Sequence, residues 1–286
     1  MHFQTIQDSF KIDLFEITQG CPENCEHCGA YDKKRSKEDL QIRALSGKQI
    51  ETLLQENIRG SAMRVVDYAN TFVTTQVNSE PLRSDAFFDF ANSIFHLSGK
   101  RSRAVFISHG VRADIPEMSE RLKNIIQLTH AGVLQNIIIT VDSARSNGSI
   151  GALANREGYR QTLKIVQSAA AGARLTLSVQ GESAPEHHNA FVKNMRMIRS
   201  LIKKTGGSER FMIDERISYA PAGRSQDRCN DMYCDVIPDA AFMRDCVPTG
   251  HYWRGMMRFD GTVVVQPNRP GKTYNDSVAP ELWTPV

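Results

Sequence analysis

Two segments, Ile137-Ile-Ile-Thr-Val-Asp-Ser143 and Arg174-Leu-Thr-Leu-Ser-Val-Gln180, are short and nearly all apolar or β-branched. That is the pattern of strands buried on both faces. Between them Tyr159, Leu163, Ile165, Val166 and Ala169 recur at helical spacing. Working outward, β-type runs occupy residues 14–18, 63–69, 103–108, 136–142, 174–180 and 211–219. Helical spacing falls in the gaps, around Leu53 and Ile58, Phe87 to Phe95, Leu122 to Leu128, and Phe191 to Ile202. Strands alternating with helices predict βαβ units on a parallel sheet, an α/β fold, open or curled as a partial barrel. In such folds the active groups gather at the C-terminal ends of the strands.

The chain has 286 residues, 41% hydrophobic and 23% charged, with a net charge of +3. This is ordinary globular composition. No apolar run reaches the ~18 residues of a membrane-spanning helix, and Met1 to Phe10 has no signal-peptide character. The expectation is a cytoplasmic protein without a membrane partner. The charge is mild and no long basic stripe is visible, so nucleic acid is not expected. After Tyr219 the composition shifts to Pro, Gly, Asn and Asp, with both tryptophans beyond it. The predicted organisation is a main unit over residues 1–220 and a short extension over 221–286.

Six cysteines fall into two triplets, Cys21, Cys25 and Cys28, then Cys229, Cys234 and Cys246. Core-filling cysteines would not segregate this way, and in a reduced compartment the triplets read as two sites. The first reads Glu16-Ile-Thr-Gln-Gly-Cys21-Pro-Glu-Asn-Cys25-Glu-His-Cys28 and follows the first predicted strand. Three thiolates on one loop can hold three corners of a [4Fe–4S] cubane and leave one iron open to an external chelator. Zinc would want four ligands; His27 could serve as a fourth, but it is adjacent to Cys28 and poorly placed.

This run resembles the signature of the radical S-adenosylmethionine (SAM) superfamily, C-x3-C-x-φ-C, with His27 at the φ position that lies near the adenine of SAM. Val77-Asn-Ser-Glu-Pro-Leu82 is similar to the family's G-G-E-P segment, with Asn78 and Ser79 in place of the glycines and Glu80-Pro81 retained. A plain reading of the same residues is a Pro-initiated helix start capped by Ser84. Thr140-Val-Asp-Ser143, Arg156-Glu-Gly-Tyr159 and Ala171-Gly-Ala-Arg174 are similar to a run of the SPASM/twitch-bearing branch. The resemblance implies a partial (β/α)6 TIM-type barrel. It implies SAM contacts at His27, Asn78, Ser79, Glu80, Thr140 and Arg156. It further implies reductive cleavage of SAM to a 5′-deoxyadenosyl radical that removes a hydrogen atom from a substrate. An electron donor such as flavodoxin or ferredoxin would be the partner.

Cys246, fourteen residues, Gly261, four residues and Gln266 resemble the auxiliary-cluster hairpin of that branch, with Gln266 where the family has cysteine. Asp260-Gly261 would be its turn. Cys229 and Cys234 could join Cys246 as a second [4Fe–4S] site, the alternative being three buried thiols. Polar residues at strand ends are substrate candidates: His109, Asp142, Gln180, Glu182, Glu215 and Tyr219, with Arg224 beyond. His187-His188 follows Pro185 and reads as a surface loop. Only twenty residues precede Cys21, so a fused peptide-recognition domain is not expected. The substrate expectation is therefore a small molecule, with a peptide presented by a separate recognition protein as the alternative. A reading of another class is a non-catalytic iron–sulfur or zinc protein.

Overall fold

In the computed structural model of the chain, the described residues are 10–22, 36–59, 72–74, 79–100, 103–142, 151–169, 172–180, 185–216, 253–257, 259 and 263–265. The strands are β1 (Phe10–Phe15), β2 (Thr18–Gln19), β3 (Arg43–Ala44), β4 (Phe72–Thr74), β5 (Arg103–Ser108), β6 (Leu134–Asp142), β7 (Leu175–Gln180), β8 (Phe211–Arg216), β9 (Trp253–Met257) and β10 (Val263–Val265). The helices are α1 (Gly47–Arg59), α2 (Ala86–Leu97), α3 (Pro116–His130), α4 (Gly151–Ser168) and α5 (Pro185–Thr205). The fold is α/β.

Eight strands form one sheet in the order β10-β9-β1-β4-β5-β6-β7-β8. All neighbours in it are parallel except the β9–β10 hairpin. β2 and β3 form a separate antiparallel ribbon. The hairpin expected around Asp260-Gly261 is present, with Val263 opposite Met257. It extends the sheet by pairing β9 with β1, Phe10 opposite Trp253.

The two faces differ. On β5, β6 and β7 the side chains of Ala104, Phe106, Ile137, Ile139, Val141, Leu175, Leu177 and Val179 share one face, none more than 1% exposed. Helix α2 packs beside β5, α3 beside β6 and α5 beside β7. The reason is periodicity. Helix α2 buries Phe87, Phe90, Ala91, Ile94 and Phe95, spaced three and four apart on one stripe. Phe87 meets Phe106 edge-on at 4.8 Å between ring centroids. The opposite face carries Ile138, Thr140, Thr176 and Ser178 on β6 and β7, then Met212 and Asp214 on β8.

Local chemistry sets the helix ends. Ser46 and Gln49 form a capping box at α1: the Ser46 amide donates to Gln49 Oε1 at 2.9 Å and the Gln49 amide to Ser46 Oγ at 3.4 Å. Helices α3 and α5 begin on Pro116 and Pro185, where a missing N–H costs nothing. His187 and His188 therefore lie in the first turn of α5, not in a loop as expected.

Two other expectations need correction. The first strand is Phe10–Phe15, not residues 14–18. The chain leaves the parallel ladder because the Leu45 amide donates to the Ile17 carbonyl at 3.0 Å and draws Thr18–Gln19 into the ribbon. The strand between β1 and β5 is Phe72–Thr74; residues 63–69 lie outside the described residues. Pro81 does start a helical turn, but it is a single 3-10 turn, Pro81–Arg83, capped by Glu80; Ser84 ends it, and Asp85 precedes α2.

Candidate active site

The parallel strands bring the loops after β1, β4, β5 and β6 to one end of the sheet. The loop after β1 holds the first cysteine triplet. Its base is closed by the ribbon, with Gln19 opposite Arg43 and Thr18 opposite Ala44. Arg43 Nη2 donates to Gln19 Oε1 at 2.6 Å, and Gln19 Nε2 donates to Glu16 Oε2 at 3.2 Å. Glu16, 2% exposed, also accepts the Phe259 amide at 3.0 Å, so the β9–β10 turn is tied to this loop. The Arg43 guanidinium stands 5.8 Å from the centroid of the Phe259 ring.

Gly20 makes the entry to the loop. Its φ is +79°, and a Cβ there would lie 1.8 Å from the Gln41 carbonyl oxygen. No other residue fits. Cys21 follows directly and is half-buried. Cys25, His27 and Cys28 lie outside the described residues. Among the described residues no three His, Cys, Asp or Glu side chains converge as a metal site.

The second cluster is built on Glu80, which is 2% exposed. Its Oε1 accepts the Leu82 amide at 3.0 Å and also the Ser108 hydroxyl. Its Oε2 accepts the His109 amide at 3.1 Å. The His109 imidazole Nε2 also lies 3.1 Å from Oε2, but off the line of a hydrogen bond. A buried carboxylate needs such donors to offset desolvation. Ser108 Oγ accepts the Gly110 amide at 2.9 Å, and Thr140 Oγ1 donates to the Ser108 carbonyl at 3.3 Å.

Helix α4 locks onto this arrangement. A Cβ at Gly158 would lie 2.0 Å from the Val111 carbonyl oxygen, so only glycine lets α4 approach the loop after β5. Thr162 Oγ1 accepts the Val111 amide at 3.0 Å and donates to the Gly158 carbonyl at 2.8 Å. The Tyr159 hydroxyl reaches the Thr140 carbonyl at 3.5 Å. The Gly-Tyr pair of the quoted motif therefore has a structural task of its own, while Arg156 is exposed on the same helix.

Of the residues singled out from sequence, Glu80, His109 and Thr140 are joined through Ser108. Ser79 precedes Glu80, and its buried Oγ has no hydrogen-bond partner. Asp142 and Gln180 are register partners at the ends of β6 and β7, and Glu215 lies on β8. Asn78, Glu182, Tyr219, Arg224, Cys229, Cys234, Cys246 and Gln266 lie outside the described residues. Sequence reasoning missed Ser108, Gly158 as a packing residue, and Ser178. Ser178 is 2% exposed, and its Oγ has no partner either. It sits in register between Thr140 and Asp214 on the second face of the sheet. The strand alternation that separates it from Leu177 and Val179 was the available signal. Among the described residues, no helix is long and apolar enough to cross a membrane. The chain matches no protein-family model and no curated protein sequence.

Proposed function

We propose that this chain is a radical SAM enzyme whose Cys21, Cys25 and Cys28 hold a [4Fe–4S] cluster with one iron open to SAM. One observation carries the reading. The C-x3-C-x2-C loop is anchored at the C-terminal end of β1, the same end of the sheet as the buried Glu80–Ser108–His109 cluster. The donor set fits the group: three thiolates on one short loop suit three corners of the cubane. When bound, the cluster supplies the electron that cleaves the SAM sulfonium and yields a 5′-deoxyadenosyl radical.

The sheet supports a partial (β/α)6 barrel. β1, β4, β5, β6, β7 and β8 are neighbours in sequence order. With right-handed crossovers that order puts every helix on one side. It leaves the other side, with Thr140, Thr176 and Ser178, as the lumen. The chain's own residues then have distinct tasks. Gly20 and the ribbon fix the cysteine loop, and Glu80 fixes the turn beside Ser79 and the loop that carries His109. Thr140 and Ser178 offer hydroxyls to a bound molecule from the lumen face. Residues 1–220 form the barrel and 221–286 the extension, where Cys229, Cys234 and Cys246 are candidates for a second cluster. The substrate is a small molecule, the electron donor a flavodoxin or ferredoxin, and the location cytoplasmic.

The test is anaerobic reconstitution followed by dithionite and SAM. The expected result is 5′-deoxyadenosine, lost in Cys21→Ala. About 4 Fe per chain means one cluster and about 8 means two. An intact cluster that never cleaves SAM would favour a non-catalytic iron–sulfur protein.

A further inference from the structure

The β9–β10 hairpin reaches the cysteine loop from the far end of the sequence. β9 runs parallel to β1, so its last residue, Met257, lies beside Phe15, the last residue of β1. Two residues further on, Phe259 stands at the same end of the sheet as Glu16 and the loop that carries Cys21. The Phe259 amide donates to Glu16 Oε2 at 3.0 Å, across 243 residues of chain. Gln19 Nε2 donates to the same oxygen at 3.2 Å, and Arg43 Nη2 donates to Gln19 Oε1 at 2.6 Å. The Arg43 guanidinium then stands over the Phe259 ring, 5.8 Å from its centroid. Phe259, Glu16, Gln19 and Arg43 thus close a circuit of contacts that returns to Phe259.

The circuit has a buried corner and an exposed one. Glu16 is buried, and burying a carboxylate costs free energy that an apolar residue there would avoid. What the carboxylate adds is direction. One of its oxygens holds an N–H of the hairpin turn and an N–H of the ribbon in a fixed relation. Arg43, at the exposed corner, joins the same two parts again through Gln19 and the Phe259 ring. From there the backbone carries the constraint to the first cysteine. Gln19 is paired with Arg43 in the ribbon. Gly20 is pressed against the Gln41 carbonyl oxygen so closely that no side chain fits. Cys21 is the next residue.

We infer that the β9–β10 hairpin positions the cysteine loop through this circuit, with Glu16 and Arg43 as positioning residues for Cys21. That the circuit thereby slows the loss of iron from a cluster on Cys21 rests on the function proposed above, whereas the coupling of hairpin to loop stands without it. The hairpin then has a task of its own, whether or not Cys229, Cys234 and Cys246 hold a second cluster.

Amide hydrogen exchange of the full chain, without metal, tests the coupling. Phe259→Leu removes the ring at one end of the contact, and Arg43→Met removes the cation at the other. Each should speed exchange in residues 16–22 by about three- to fivefold while the thermal midpoint stays unchanged. The double variant should be no faster than the faster single variant, because either change opens the same circuit. Arg43→Lys keeps a cation and a donor and should return the rate to that of the wild type. Glu16→Ala removes the shared acceptor and should act most strongly; if it does not fold, the other variants carry the test. After anaerobic reconstitution, iron loss to a chelator should quicken in the same variants and recover in Arg43→Lys. Unchanged exchange in both Phe259→Leu and Arg43→Met overturns the inference, as do additive effects in the double variant. Faster exchange with iron loss no faster than in the wild type overturns the part that concerns the cluster. A wild-type chain that takes up no iron overturns the proposed function instead, and the exchange rates still decide the coupling.

Discussion

On β6 and β7 one face presents Ile137, Ile139, Val141, Leu175, Leu177 and Val179, and the other presents Ile138, Thr140, Thr176 and Ser178. The same strands carry both sets, yet the helices pack on only one. The first face is saturated with apolar contacts and leaves no polar atom to satisfy. The second is nearly as buried at Thr140, Thr176 and Ser178, 8%, 6% and 2% exposed, but it keeps hydroxyl groups. Thr176 exchanges hydrogen bonds with Asn136, while Ser178 has none. Ser178 therefore buries an unpaired hydroxyl, which costs free energy. The contrast separates an apolar face that the helices cover from a face that keeps hydroxyl groups.

The largest effect expected from breaking this contrast is on the helix side. Phe106→Ala removes a fully buried ring from its edge-on contact with Phe87. It should cost about 3–5 kcal/mol, read by denaturant unfolding. A cost below about 1 kcal/mol would mean that this face is not the core. Next comes Glu80→Gln at the joint of the β4 and β5 ends. The amide group must set an N–H donor against amide or hydroxyl donors that now meet carboxylate oxygens. The expected loss is about 2–3 kcal/mol. Recovery of full stability in this variant would show that the cluster does not hold those ends together.

Much of this was legible in sequence for a simple reason. The strands that became β5, β6, β7 and β8 are central or flanked by strongly periodic helices, so periodicity and tertiary context agree there. At Phe10–Phe15 and Phe72–Thr74 the deciding facts were not local. The Ile17 carbonyl is taken by Leu45, and β4 is chosen by partners on both sides. The site divides the same way. Glu80 and His109 stood out as polar residues beside strand ends, but Ser108 joins them across 28 residues of chain, which no spacing reveals. Gly158 stood in a quoted motif, and its reason, a carbonyl of another loop pressed against the helix, is visible only in three dimensions.

A smaller effect, opposite in sign, should appear on the second face. Ser178→Ala deletes a hydroxyl without a partner and leaves the packing volume almost unchanged. Stability should stay constant or rise by up to about 1 kcal/mol. If this face is the lumen of the proposed barrel, product formation in the same variant should fall while stability does not. A matched loss of stability in Ser178→Ala would make the hydroxyl structural and remove the contrast between the faces.

The smallest effect returns to the helix side and asks whether a charge there behaves unlike the hydroxyl opposite. Asp89, in the first turn of α2, faces the start of α1, where a Cβ at Gly47 would lie 2.9 Å from its Oδ2. Burial, and after it the neighbouring Asp85 carboxylate, raise its pKa above the ordinary carboxylate range. The folded state therefore holds this proton more tightly than the unfolded chain. Its favourable contribution is complete below the unfolded value and is lost as pH rises through the raised folded value. At neutral pH the ionised group is a net cost, which Asp89→Asn removes. The group is well hydrated and the α2 N-terminus favours negative charge, so Tm should rise by no more than about 2 °C at neutral pH. The gain should vanish in acid, where both side chains are neutral. An equal shift at both pH values would assign the effect to packing rather than to charge.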